Sequence, residues 1–285
     1  MASFPKRSLI PVLCALLTLG SCASVTSSIT AGLADDLAAS IMNSNDIDTV
    51  REGIPAYLIM IDSFLRGSPD DENLLVAAST LNGAFSNFTD GDRARLLTEK
   101  SLHLAAQAIC VYDDDYCGLQ SMAFEDFQQV VDGIDSDAMF VAYPLGVAWT
   151  GWIQTHSDDW NAVAQLSRVK YLMNHLIVVD EYWEMGGPHL YMGGLETVLP
   201  ASMGGRPELG REHFERAIEI ARGDYLMTKV VYAEQYAKLT FDKALYDRLL
   251  TEVISADPEV EGMTLTNTLA QRRARELLAE SDDYF

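Results

Sequence analysis

Apolar residues recur along the chain at helical rather than strand-like spacing. Segments 46–65, 68–88 and 90–110 each carry apolar positions three and four residues apart, and Gly, Asp or Pro turns separate the segments. Pro55 is expected to bend or interrupt the first of them. Nowhere do apolar and polar residues alternate convincingly with the period of two that a half-buried strand requires. The pattern therefore predicts an all-α fold.

A weak internal repeat suggests how the helices are arranged. The residues around Phe214 resemble those around Leu249, 35 residues further on, and each segment is predicted to be the second helix of a hairpin. Helix–turn–helix units with a period near 34 are typical of tetratricopeptide repeats, although the tryptophan–leucine–glycine consensus is absent. We expect residues 45–285 to form one superhelical domain of stacked tetratricopeptide-like hairpins with cryptic repeats.

The segment 138–157 has no formally charged residue over a length that could cross a membrane. It nevertheless contains Tyr143, Pro144, Gln154 and His156, together with small residues that favour close packing. A helix that is apolar all round usually lies in the centre of a helical domain. We therefore predict a core helix and not a transmembrane span.

The N-terminus has the pattern of a secretory signal. Lys6 and Arg7 precede an apolar run, which ends in Leu-Gly-Ser-Cys at Cys22. This ending resembles the lipobox of bacterial lipoproteins; the alternative is an ordinary signal that happens to contain a cysteine. We expect residues 1–21 to be removed, Cys22 to be lipidated and residues 22–44 to form a tether and first helix. Because Ala23 and not aspartate follows, resemblance to sorted lipoproteins favours the outer membrane, facing the periplasm.

The composition is strongly acidic. The full chain has 20 basic and 42 acidic residues, and loss of Lys6 and Arg7 with the signal leaves 18 against 42, a net charge of −24. Such a surface repels nucleic acid and anionic lipid headgroups. We therefore expect no nucleic-acid partner, and membrane attachment only through the lipid anchor.

Two cysteines remain in the predicted mature chain, Cys110 and Cys117, and an oxidising compartment would permit a disulfide between them. The aspartates at 113–115, between the cysteines, are consecutive, whereas the ligands of a calcium loop alternate. We read this segment as an acidic turn with a possible disulfide, and predict no metal site.

No catalytic or cofactor motif is present. The chain lacks His-Glu-x-x-His, G-x-S-x-G, a phosphate loop and a dinucleotide-binding glycine pattern. The five histidines are scattered, with His213 expected at the surface. His189 lies between glycines, either as a helix-start residue or as part of a site. We predict a protein that is not an enzyme and has no cofactor.

The candidate ligand residues are mainly aromatic. In the segment 225–239, Leu226, Val230, Ala233 and Ala237 form one helical face that should pack inward, and three tyrosines and a lysine form a neighbouring stripe. The stripe has two interpretations: packing with a lysine that reaches water, or a channel wall on which the lysine accepts an acidic ligand. The predicted channel residues are Tyr225, Lys229, Tyr232, Tyr236, Trp149, Trp152 and His189.

Several segments together resemble a known family. "AWTGWI", "DDWNAVAQLSRVKYLM", "GPHLYMGGLETVLPASMGG", the run from "REHFERAIEIARGDYLM" to "LYDRLLTEVI", and "LTNTLAQRRARELLA" resemble the T component of TRAP (tripartite ATP-independent periplasmic) transporters. The resemblance covers about residues 45 to 285.

This resemblance implies a tetratricopeptide-like periplasmic lipoprotein that forms a homotrimer. It also implies a largely apolar channel in each subunit for an apolar or amphipathic ligand. The partner would be the ligand-binding P protein, which serves a sodium-driven permease. The alternative function is a tetratricopeptide lipoprotein that scaffolds envelope or outer-membrane assembly.

Overall fold

The computed structural model describes residues 39–285, and every regular element in that range is helical. The predicted all-α fold is confirmed, whereas the predicted signal, Cys22 and most of the tether lie outside the described residues. Residues 39–42 are helical and precede thirteen α-helices: α1 Ile47–Gly67, α2 Glu72–Ser86, α3 Gly91–Tyr112, α4 Phe124–Asp132, α5 Met139–Thr155, α6 Trp160–Ala164, α7 Leu166–Asp180, α8 Gly187–Thr197, α9 Pro207–Ile220, α10 Met227–Tyr232, α11 Lys243–Ser255, α12 Thr264–Ala279 and α13 Ser281–Tyr284.

Aspartates start several of these helices. The side chains of Asp46, Asp71, Asp159 and Asp242 each accept a hydrogen bond from a backbone N–H in the first turn of the helix that follows. A carboxylate at this position satisfies an otherwise unpaired donor and complements the helix dipole. Some of the many acidic residues of the chain therefore fix where its helices begin.

The helix α1 runs through Pro55 without a break, although the sequence predicts a bend or an interruption there. Pro55 is exposed on the outside of the helix. Tertiary packing of the buried positions Ile47, Val50, Ile54 and Leu58 outweighs the helix-breaking tendency of one proline.

The uncharged helix α5 lies at the centre of the largest core cluster, as predicted. Met139, Val141, Leu145 and Trp149 are fully buried in it, and α5 packs against α2, α3, α7 and α8. No helix between residues 39 and 285 is long and apolar enough to cross a membrane.

Consecutive helices pair as hairpins. The α2–α3 pair is joined by reciprocal hydrogen bonds in which each of Ser79 and Ser101 donates its hydroxyl to the other's backbone carbonyl, both at 2.8 Å. The pairs α8–α9 and α11–α12 also pack together. The segments around Phe214 and Leu249 fall in α9 and α11, but a tetratricopeptide-like stacking of the hairpins stays a prediction.

The helix contacts close into a circuit. Starting at α1, contacts lead through α2, α5, α8, α10 and α12, and α12 then packs against α1 again. Leu265 of α12 shares an apolar cluster with Ile47, Val50 and Ile54 of α1. Helices near the two ends of the described chain, α1 and α12, therefore pack together.

Candidate functional site

A cavity of about 320 Å³ lies where α3 and α5 approach the junction of α6 and α7. Two of the predicted channel residues, Trp149 and Trp152 of α5, line it. The opposite walls include Leu102, His103, Gln120 and Gln165. The five other predicted channel residues do not line this cavity, so the structure separates the tryptophans from the tyrosine stripe.

A carboxylate contacts an imidazole beside the cavity. Glu99 lies in the lining, and its Oε1 atom is 3.1 Å from His156 Nε2. The other ring nitrogen of His156 lies 2.8 Å from the carbonyl oxygen of Trp152, and the two rings pack at 5.1 Å between centroids. These contacts hold Trp152 against one side of the cavity.

The small apolar face of the segment 225–239 is packed inward, as the sequence predicts. Leu226, Val230, Ala233 and Ala237 are all buried. The helix α10 continues into a π-helical turn, Ala233–Ala237, which shifts the register of its last residues. Such turns recur at functional sites.

The neighbouring tyrosine stripe is largely engaged in contacts within the protein. The hydroxyl of Tyr232 donates to Glu215 at 3.2 Å and that of Tyr236 donates to Glu208 at 2.9 Å. The ammonium group of Lys229 is only 2.8 Å from Glu252 of α11. An acidic ligand would have to compete with Glu252 for Lys229, so the packing interpretation has the more direct structural support.

A second group of tyrosines lies deep between helices. Tyr143 of α5, Tyr191 of α8 and Tyr225 before α10 keep partial exposure, and the rings of Tyr143 and Tyr191 are 6.0 Å apart. Within residues 39–285 their hydroxyl groups have no hydrogen-bond partner. Burial raises the pKa of Tyr225 to about 12 and that of the other two well above 10. All three phenols are therefore neutral at pH 7.

Sequence reasoning identified Tyr225 but missed Tyr143 and Tyr191. The available signal was the glycine pair before His189. A Cβ atom at Gly187 would lie 2.2 Å from the Tyr143 hydroxyl, so this glycine is needed for the phenol to approach α8. A glycine beside an aromatic-rich helix indicates such close approach, but it does not identify the partner.

His189 belongs to a polar cluster outside both aromatic groups. Its Nδ1 atom is 2.9 Å from His213 Nδ1, so one nitrogen donates to the other, and its Nε2 atom is 3.2 Å from Glu181 Oε2. Arg216 donates two hydrogen bonds to Glu181, which lower the pKa of that carboxyl to about 2. Burial lowers the pKa of His189, and it lowers that of His213 to about 4. His213, expected at the surface, is half-buried, and both imidazoles are neutral at pH 7.

A fully buried carboxylate joins α7, α8 and the start of α9. Glu196 accepts hydrogen bonds from Arg206 at 2.5 and 2.9 Å and from Lys170 at 3.1 Å. Burial acts to raise the pKa of Glu196, but the two cations outweigh burial and lower it. The charge of Glu196 is therefore compensated within the protein, which gives this carboxylate a structural role.

Cys110 and Cys117 form a disulfide that closes the short loop after α3. The aspartates 113–115 in this loop are exposed. Between residues 39 and 285, no group of three or more His, Cys, Asp or Glu side chains could hold a metal ion.

Residues 43–285 match the family described as TRAP transporter T-component. The matched range includes all thirteen helices. No curated protein matches the chain.

Proposed function

The chain belongs to the TRAP transporter T-component family and is an accessory subunit of such a transporter; we propose that it docks the periplasmic P protein and offers the ligand an apolar channel. The observation that carries this proposal is the family match over residues 43–285. T-components are transporter subunits and not an enzyme family, and we propose that this chain too acts without catalysis.

The proposed channel lies inside the closed circuit of helices. Tyr143, Tyr191 and Tyr225 support it, because their hydroxyls are unpaired within the described chain and their rings form apolar walls. Small-molecule sites are typically apolar with a few polar groups that fix orientation. The ligand of such a channel is apolar or amphipathic, with its polar end at the phenol groups.

Docking requires an exposed surface that suits another protein. One face of α1 presents Pro55, Ala56, Ile59, Met60 and Phe64 to solvent without an intervening charge. Ile59 is 71% exposed and Phe64 is 53% exposed. Contiguous exposed apolar surface marks interaction sites, which supports a protein interface here. A homotrimer of tetratricopeptide-like subunits is part of the same proposal.

The proposed location is the periplasmic side of the outer membrane, with Cys22 as the lipid anchor. Several acyl chains on one residue hold a protein stably at a membrane, whereas one chain binds only marginally. Fractionation of cells that express Cys22→Ala tests this. The variant should stay uncleaved or become soluble, and a fully processed variant still bound to the membrane contradicts the anchor.

Co-purification tests the docking proposal. The chain from residue 23 onward should retain the P protein of its transporter, and Ile59→Asp with Phe64→Asp should reduce retention about tenfold or more, because two apolar anchors are replaced by charges. Val178→Asp, at a still more exposed apolar position of α7, is the control. If the unmodified chain, the double variant and Val178→Asp retain the P protein equally, docking occurs on another surface. If none of the three retains the P protein, the docking proposal is contradicted.

A further inference from the structure

The hydroxyl groups of Tyr143, Tyr191 and Tyr225 are accessible and unpaired. Within residues 39–285 they have no hydrogen-bond partner, and the three side chains are partly exposed. The fully buried side-chain nitrogen and oxygen atoms of this range that lack a partner all belong to residues other than tyrosine. Each of the three hydroxyl oxygens therefore keeps some accessible surface and is able to bind a group that enters from solvent.

The three tyrosines come together from helices that pack against one another. The helix α8 contacts both α5 and α10. The rings of Tyr143 and Tyr191 lie 6.0 Å apart between centroids, with an angle of 79° between their planes. Ionisation of Tyr225 would raise the pKa of both other phenols, because its hydroxyl lies near theirs. Two rings at right angles and a third phenol beside them thus form one aromatic cluster.

A carboxylate is held beside this cluster by a strained turn. Glu184, Met185 and Gly186 lead into α8 with φ angles of 45°, 55° and 83°, all in the left-handed region. This conformation costs energy at residues other than glycine, and it recurs where a side chain is held for a function. The side chain of Glu184 is exposed and forms no ion pair or hydrogen bond within residues 39–285. Its charge is available to a ligand.

The charges around the cluster favour a cation. Burial chiefly raises the pKa of Tyr143 and that of Tyr225, and the negative charge of Glu184 raises both further. Among residues 39–285, no cationic side chain counters this rise at any of the three phenols. An anionic ligand would therefore find no counterion here, and the net charge of −22 repels anions in general. A positively charged group would have Glu184 as its counterion and aromatic rings beside it.

We propose that Tyr143, Tyr191, Tyr225 and Glu184 form a binding site for an organic ammonium ion that carries an apolar chain. Aromatic rings attract an ammonium group through the negative face of the π-system. The phenol oxygens accept hydrogen bonds from its N–H groups, and Glu184 balances its charge. This site deepens the proposed function, because it gives the polar end of the ligand a positive charge, and its biological meaning rests on the proposed role as a ligand-carrying subunit.

Hexylammonium is the probe, and hexanol and hexanoate are six-carbon controls with a neutral and a negative head. The sample is the chain from residue 23 onward, with ¹³C in the rings of its twelve tyrosines, and NMR is the readout. Variants with phenylalanine at 143, 191 or 225 assign the three tyrosines of the site. Titration to about 20 mM covers the millimolar affinity expected of so small a ligand. Hexylammonium should shift these three tyrosines in a saturable way and bind about tenfold more tightly than either control.

A matched pair of variants tests the carboxylate. Glu184→Gln keeps the size of the side chain and removes its charge, so it should weaken hexylammonium about fivefold and leave hexanol unchanged. Folding should survive, because the Glu184 side chain has no partner within the described chain. Glu261→Gln removes one negative charge from an exposed turn and should change neither affinity. This control separates a specific site from the general attraction of cations to an acidic protein.

The proposal is overturned if hexanol or hexanoate binds as tightly as hexylammonium, or if the three tyrosines do not shift. It is also overturned if Glu184→Gln lowers the affinity for hexylammonium no more than Glu261→Gln does. Saturable binding of hexanol alone removes the ammonium site and leaves the apolar channel, whereas no binding of any probe counts against both. The P protein is absent from the sample, so docking keeps its own test.

Discussion

At the scale of single residues, most charged groups near the proposed sites are already paired within the protein. Glu196 is the clearest example, because a fully buried carboxylate is held by Arg206 and Lys170. A buried ion pair is weak evidence for stability, but removing one partner leaves an uncompensated charge. Replacing one of these paired groups should therefore change the free energy of unfolding and not ligand binding.

Replacement of Glu196 by glutamine should destabilise the fold by roughly 2 kcal/mol or more. This is below the 3–5 kcal/mol typical of a wholly buried pair, because the Arg206 side chain is 58% exposed and recovers hydration. Urea denaturation measures the change, with Glu261→Gln on an exposed turn as control. A Glu196→Gln protein as stable as the control would show that the cluster contributes nothing to folding.

The histidine pair predicts how stability depends on pH. The pKa of His213 is about 4 in the folded protein against 6.5 for an ordinary histidine, chiefly because of burial. Above pH 6.5 the imidazole of His213 is unprotonated in both the folded and the unfolded state, so the free energy of unfolding is not reduced by its titration. As the pH falls from 6.5 towards 4, only the unfolded state binds the proton, and stability falls by up to about 3 kcal/mol at about 1.4 kcal/mol per pKa unit.

Urea denaturation at pH 7 and pH 5 measures this loss, and the window ends before most carboxylates titrate. The variant His213→Gln should lose less stability between the two pH values than the wild type, because one of the two buried imidazoles is gone. His103→Gln, at an exposed position, should behave like the wild type. Identical pH dependence in all three proteins would contradict the assigned role of burial at His213.

At the scale of elements, glycines set how closely α8 approaches its neighbours. A Cβ atom at Gly193 would lie 2.7 Å from the ring of the fully buried Phe214 in α9. At the adjacent Gly194 it would lie 3.2 Å from the flexible amide end of Gln235. The two positions share one helix and differ mainly in the neighbour they face.

Gly193→Ala should therefore destabilise the protein by about 1–3 kcal/mol, as overpacking does. Gly194→Ala should be neutral or stabilising by up to about 1 kcal/mol, since alanine has the higher helix propensity. Thermal unfolding of both variants measures the contrast. Two equal melting temperatures would mean that α8 and α9 can separate without cost.

The helical pattern predicts most of the elements, because the apolar spacing that defines each helix is local. The all-α fold, the core role of α5 and the inward face at Leu226 and Val230 all follow from it. The partners of Tyr143 and Trp149 do not follow, since they depend on contacts between helices far apart in sequence. Lys229 illustrates the limit: its stripe is predicted, but its pairing with Glu252 of the next helix is not.

At the scale of the whole molecule, the contact between α1 and α12 closes the circuit. Leu265 of α12 contributes to it, whereas Leu277 of the same helix packs into a different cluster with Phe214 and Leu250. Loss of Leu265 should therefore loosen α1, although α1 is more than 200 residues away in sequence. Loss of Leu277 should leave α1 protected.

Leu265→Ala and Leu277→Ala should each cost about 2–4 kcal/mol, less where the site collapses. Hydrogen exchange should become faster throughout α1, Ile47–Gly67, only in the Leu265→Ala protein. Equal exchange of α1 in both variants would show that the circuit is not held together at this contact.

Light scattering on the chain from residue 23 onward with its transporter's P protein tests the central claim most directly. Alone at tens of micromolar, the chain should have the mass of a trimer, and on addition of the P protein the mass should rise by whole P-protein units until the sites saturate. A chain that stays monomeric at this concentration and gains no mass on mixing would contradict the account of a trimeric, P-protein-docking subunit.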